Sequence, residues 1–173
     1  AGGAVSVLDA DGEGAKYATN ETALSVRWEG FTEPCSGVLQ YSVSLVDVAA
    51  GTTLFEAQVN ATEELSVPLP PAIVGVLAHN ATYRAVVVAT SNAGLMGAAR
   101  ASFVVDSTPP EPMLVHDGTG SVDLTCSSVS LRLGCSWQPV IDHTSGIGQL
   151  EWALGTKAFA TDLQAFTPVN VTS

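Results

Sequence analysis

Apolar and polar residues alternate along most of this chain. In LSVRWE, residues 24–29, Leu24, Val26 and Trp28 share one side while Ser25, Arg27 and Glu29 share the other. In LQYSVSL, residues 39–45, Leu39, Tyr41, Val43 and Leu45 alternate with Gln40, Ser42 and Ser44. A period of two belongs to a β-strand with one face on a core and the other toward solvent. The same reading predicts strands at 4–8, 53–58, 63–69, 82–90 and 98–105. Turn clusters (DADGEG, TEPCSG, SNAG) separate them, and no segment carries a 3.6-residue period. Roughly seven short strands per hundred residues predict an all-β sandwich.

One passage is written twice. Trp28 is followed by Gly37 at +9, Tyr41 at +13, Val43 at +15 and Leu45 at +17. Trp137 is followed at the same offsets by Gly146, Leu150, Trp152 and Leu154, with Leu131, Leu133 and Cys135 in the inward phase before it. The 109-residue period matches one β-sandwich of roughly 100 residues and exceeds the 20–50 residues of a solenoid repeat. The expected organisation is two tandem units, 1–107 and 108–173. The second is expected to be incomplete, with N-terminal strands only, and the chain to be a segment of a longer protein. Between them VDSTPPEP, residues 105–112, carries Pro109, Pro110 and Pro112, a composition that makes a short stiff spacer.

Trp28, Tyr41 and the run LAHNATYRAVVVATSNAG at 77–94 carry a family resemblance. Leu77 precedes Tyr83 by six residues, and Ala85, Val87 and Ala89 follow it at +2, +4 and +6; His79 stands where a Pro is common. In these features the chain resembles a fibronectin type III domain of the immunoglobulin-like class. The resemblance implies tandem antiparallel Greek-key β-sandwiches, with Tyr83 as a tyrosine-corner residue whose hydroxyl bonds back to upstream backbone. The TPP joint looks like those between units of large tandem-repeat surface proteins. About activity the resemblance implies little, because a fold of this kind hosts many functions.

Charged residues make up 13% of the chain, about half the usual ~25%. Six Lys+Arg against seventeen Asp+Glu give a net charge of −11, which disfavours nucleic acid or anionic membrane as a partner. A hydrophobic content of 46% supplies a core and argues against disorder. No apolar run approaches the ~18 residues of a membrane span, so no membrane insertion is expected in this segment. No basic, apolar, small-residue leader opens the sequence, so a signal peptide is expected to be absent or removed.

Four sequons, Asn20-Glu-Thr, Asn60-Ala-Thr, Asn80-Ala-Thr and Asn170-Val-Thr, fall at predicted strand ends or connections. Together they point to an extracellular glycoprotein with N-linked glycans. Cys126 and Cys135 occupy inward positions on strands joined through SSVS, and a disulfide between them is expected. The alternative is two reduced core thiols. Cys35 has no partner in its own unit; it either pairs with another part of the protein or stays free.

No catalytic, metal or cofactor site emerges, and the chain is not expected to be an enzyme. His79, His116 and His143 are scattered, and none has metal-ligand spacing. Glu63 and Glu64 diverge on a strand, and no G-x-S-x-G elbow, G-x-G-x-x-G run or P-loop appears. In DADGEG, Asp9, Asp11 and Glu13 offer oxygens to a hard cation, but the third Asp/Asn and the distal Glu of an EF-hand are missing, so a turn is the preferred reading.

One strand departs from the polar-outward rule. Between Arg84 and Thr90 the outward positions are Val86 and Val88, a poorly protected face that a loop, a glycan or another subunit would cover. The expected function is a structural repeat of an extracellular filament or matrix, with other domains of the same chain and other copies as partners. The Ala-, Gly- and Val-rich, Lys-poor style is similar to that of giant green-algal surface glycoproteins, flagellar mastigonemes among them. The alternatives are an adhesion or ligand-binding ectodomain of a receptor and a spacer module of a secreted carbohydrate-active enzyme. Trp28, Trp137 and Trp152 all lie in the inward phase, which favours a scaffold over a sugar platform.

Overall fold

In the computed structural model, which describes residues 3–61, 65–117, 134–157 and 159–169, the alternating segments are strands. The chain divides into two units, Ala1–Thr108 and Pro109–Ser173. The first begins with β1 (Ala4–Leu8), β2 (Tyr17–Ala18), β3 (Ser25–Glu29), β4 (Val38–Asp47) and β5 (Thr53–Asn60). There follow β6 (Ser66–Pro68), a single-turn helix α1 (Pro71–Val74), β7 (Thr82–Ser91) and β8 (Met96–Val105).

Two sheets result, ordered β1-β3-β6 and β2-β8-β7-β4-β5. The chain enters the first sheet with β1, the second with β2, the first with β3, the second with β4 and β5, the first again with β6, and the second with β7 and β8. This is the Greek-key connectivity of an immunoglobulin-like sandwich. The pairings are antiparallel except between β2 and β8, where Tyr17 and Ala18 lie parallel to Val104 and Val105.

Alternation decides which residues fill the space between the sheets. Val26 and Trp28 on β3 face Tyr41, Val43 and Leu45 on β4, and Tyr83, Ala85 and Val87 on β7; all are buried. The Trp28 and Tyr41 rings tilt against each other with centroids 5.3 Å apart, and Tyr83 and Phe103 do the same at 5.9 Å. Burying each large side chain of this kind is worth about 1.5–3 kcal/mol before conformational entropy is counted. The Ala78 N–H donates to the Tyr83 hydroxyl at 2.9 Å, so the tyrosine is tied to backbone five residues upstream.

The apolar run at 72–78 is not a strand. Pro71 opens α1 with a φ already suited to a helix, and the turn sinks Val74 and Leu77 into the core. Four residues are too few for a 3.6-residue period to show. Of the strand expected at 63–69, the described residues show Ser66–Pro68; residues 62–64 lie outside the described ones.

In the second unit, β9 (Val115–Asp117) pairs with β10 (Cys135–Trp137), and β11 (Leu150–Leu154) with β12 (Gln164–Val169). These reproduce first-unit pairings: Trp137 opposes Val115 as Trp28 opposes Val5, and Trp152 opposes Thr167 as Val43 opposes Ala57. Trp137 and the successive residues Leu150, Glu151, Trp152, Ala153 and Leu154 line one pocket, so both phases of β11 contribute to it.

Candidate assembly face and modification sites

The outer face of the five-stranded sheet carries Val86 and Val88. Their neighbours in sequence, Ala85, Val87 and Ala89, are buried, so the two valines point away from the core, where they are half-exposed. Val86 lies between Ser44 on β4 and Arg100 on β8; Val88 lies between Ser42 and Ala98. Arg84 is held along the sheet by its Nε–H, which donates to Ser102 Oγ at 3.4 Å. Two valines therefore stand among small and polar residues on β7, the central strand of the sheet.

The sequons differ in their surroundings. Asn80 is exposed and sits in the left-handed region, φ 59°, in the turn that leads into β7. Its backbone N–H donates to the Val105 carbonyl at 2.8 Å, which fixes the turn while the side chain stays outside. Asn60 is exposed at the end of edge strand β5. Asn20 is half-buried, and its Nδ2, the atom that would take a sugar, donates to the Leu77 carbonyl at 3.4 Å. Asn170 lies outside the described residues, as does Cys126.

Cys135 is a free thiol, half-buried, on a strand whose neighbour is β9. The anticipated bridge to Cys126 is not among its bonds. Cys35 is a free, exposed thiol in the loop before β4.

The acidic turn 9–14 closes on itself. Asp9 Oδ1 accepts the Asp11 and Glu13 N–H groups, each at 3.1 Å, and the Asp9 N–H reaches the Glu13 carbonyl. The Asp9 carboxylate thus organises the turn. Among the described residues no three His, Cys, Asp or Glu side chains converge as metal ligands would. His79 Nδ1 accepts the Ser107 N–H at 3.2 Å and lies 3.5 Å from the buried Asp106 carboxylate. Asp106 in turn accepts the Thr108 N–H and hydroxyl, so this group pins the end of the first unit. His143 and Glu111 form an exposed pair at 3.3 Å. In the second unit the backbone and hydroxyl of Thr156 both donate to Asp162, holding its carboxyl below the usual aspartate value.

One duplicated pair was not singled out from sequence. Glu33 and Asp142 each lie five residues after the repeated tryptophan and four before the repeated glycine. Glu33 Oε1 accepts the Cys35 N–H, and Asp142 Oδ1 accepts the N–H groups of Thr144, Ser145 and Gly146. An acid aligned at +5 in both copies was the available signal.

No protein family matches the chain, and no curated protein does so. Among solved structures, CopC from Methylosinus trichosporium OB3b aligns at a TM-score of 0.35 and 22% identity. The alignment spans 59% of this chain and 93% of that one, and a score so low supports no inference about activity.

Proposed function

We propose that this chain is a structural repeat segment of an extracellular glycoprotein that assembles into a surface filament or matrix through its sheet faces. The observation that carries the reading is the pair Val86 and Val88, half-exposed at the centre of the five-stranded sheet. Repeated fibronectin type III-like units, a low charge content and exposed sequons at Asn60 and Asn80 support it. In style the segment suits a filament of the mastigoneme kind on a flagellar surface. Both valines are already half-buried, so covering what remains exposed contributes less than the roughly 1.5–3 kcal/mol of a fully exposed side chain; one patch is weak and tandem repetition multiplies it.

Replacing both valines, Val86→Asp with Val88→Lys, tests the reading. The variant should keep its far-ultraviolet circular dichroism and lose self-association in sedimentation velocity. A folded variant that assembles at unchanged strength would refute the proposal. The alternative of a ligand-binding ectodomain or a spacer module would gain from a glycan array in which the monomer captures a defined sugar. Trp28 is fully buried and offers no surface to a sugar, whereas Trp137 and Trp152 line a pocket of the second unit where such capture would have to occur.

A further inference from the structure

We infer that the outer face of the five-stranded sheet pairs with the same face of a second copy of this chain. The two copies are related by a two-fold axis that runs along the strands between β4 and β7. This rests on the assembly reading above and commits it to one occupant and one geometry.

The sheet register supplies the reason. Glu56 on β5 is opposite Ser44 on β4, Ser44 is opposite Val86 on β7, and Val86 is opposite Arg100 on β8. Residues directly opposed across antiparallel strands share a face. Ser44 is on the outer one, since Val43 and Leu45 beside it are 0% exposed on the inner. A row therefore crosses four strands in the order acid, serine, valine, base. At the usual strand spacing, Glu56 and Arg100 stand about 14 Å apart.

The midpoint of that row falls between β4 and β7. A half-turn about an axis along the strands at that midpoint reverses the row and turns it face down. Glu56 then lies over the second copy's Arg100, and Ser44 over the second copy's Val86, with both contacts repeated by symmetry. The next row, Gln58–Ser42–Val88–Ala98, reverses in the same way and sets Val88 over Ser42. Each valine thus meets a small residue, which lets two faces about 10 Å apart interdigitate. The long side chains of Glu56 and Arg100 reach across at the two sides.

The charges are available for this. Glu56 and Arg100 are exposed, and among the described residues neither has an ion-pair partner within its own copy. In a chain of net charge −11, a face that carries an unpaired base opposite its own acid is the kind of surface on which like-charged copies can meet. Such a contact is isologous and closes on itself. It ties chains side by side, and growth along a filament would come from the tandem units.

The test uses the whole chain, made without glycans, in sedimentation velocity and native mass spectrometry, with circular dichroism as the control for folding. Wild type should dimerise. Glu56→Arg and Arg100→Glu should each weaken dimerisation roughly tenfold, because each sets like charges together at both symmetric contacts. An equimolar mixture of the two variants should form a 1:1 heterodimer of about wild-type strength, since every contact again joins acid to base. A monomeric wild type, or a mixture no tighter than its components, overturns the inference. If the two valine substitutions abolish dimerisation while the charge reversals leave it unchanged, assembly through this face stands and the two-fold geometry falls. If neither set matters, both readings fall.

Discussion

Gly37 and Gly146, 109 residues apart, hold the same left-handed backbone conformation, with φ of 72° and 76°. Each follows by four residues an acid whose carboxylate accepts backbone N–H groups of the loop, one (Cys35) at Glu33 and three (Thr144, Ser145, Gly146) at Asp142. The repeated passage thus preserves a loop device as well as a core pattern. A side chain at Gly146 would meet nothing within 4 Å, so its cost is conformational rather than steric. Gly146→Ala should destabilise the second unit by about 1–2 kcal/mol, and Gly146→Asn by less, because asparagine tolerates this region. Urea unfolding of the whole chain measures both, and equal losses for the two variants would contradict the conformational origin.

Much of the fold was legible because alternation and burial coincide. Trp28, Tyr41, Val43 and Leu45 are inward in both the pattern and the structure, and the outward phase of Val86 and Val88 follows from the same period. Four elements were not legible, among them the three-residue β9. β2 is two residues long and α1 four, too short to show a period, and β12 mixes Pro168 with an outward Phe166 that breaks the alternation. The acids Glu33 and Asp142 were hidden for another reason: capping by a carboxylate leaves no hydrophobic signature, and only alignment of the two copies exposes it.

Tyr83→Phe should leave the fold intact and cost about 1–2 kcal/mol. The ring stays packed on Phe103, but the Ala78 N–H loses its acceptor in a partly buried corner. A shift of the urea midpoint with an unchanged m-value is the expected outcome. An unchanged midpoint would mean that water satisfies the Ala78 N–H equally well.

Glycopeptide mapping of native material should find sugar on Asn60 and Asn80 at higher occupancy than on Asn20, whose Nδ2 is engaged by the Leu77 carbonyl. Asn60 also shares the outer face with Glu56, at the β5 corner. A sugar there competes with the close approach of a second copy, so Asn60→Gln should dimerise at least as tightly as glycosylated wild type. Uniform absence of sugar at all three would remove the extracellular reading.

Asp162 should titrate below the ordinary aspartate range, since two Thr156 donors favour its charged form. A depressed folded-state value stabilises above the unfolded value and is lost as pH falls through the folded one. Carboxyl chemical shifts followed by NMR should show Asp162 returning toward the ordinary range in Thr156→Val. If that variant leaves the titration in place, another cause holds the carboxyl down.

The two-residue strand β2 has a mechanical consequence. It lies near the start of the first unit, β8 ends that unit, and the two run parallel. Val104 donates to the Lys16 carbonyl at 3.0 Å and Asp106 to the Ala18 carbonyl at 2.8 Å. Tension that reaches the start of β2 and the end of β8, once past β1, draws these strands in opposite directions along their own length. The hydrogen bonds are then loaded together in shear instead of being peeled apart one at a time, so a very short strand acts as a clasp against stretching.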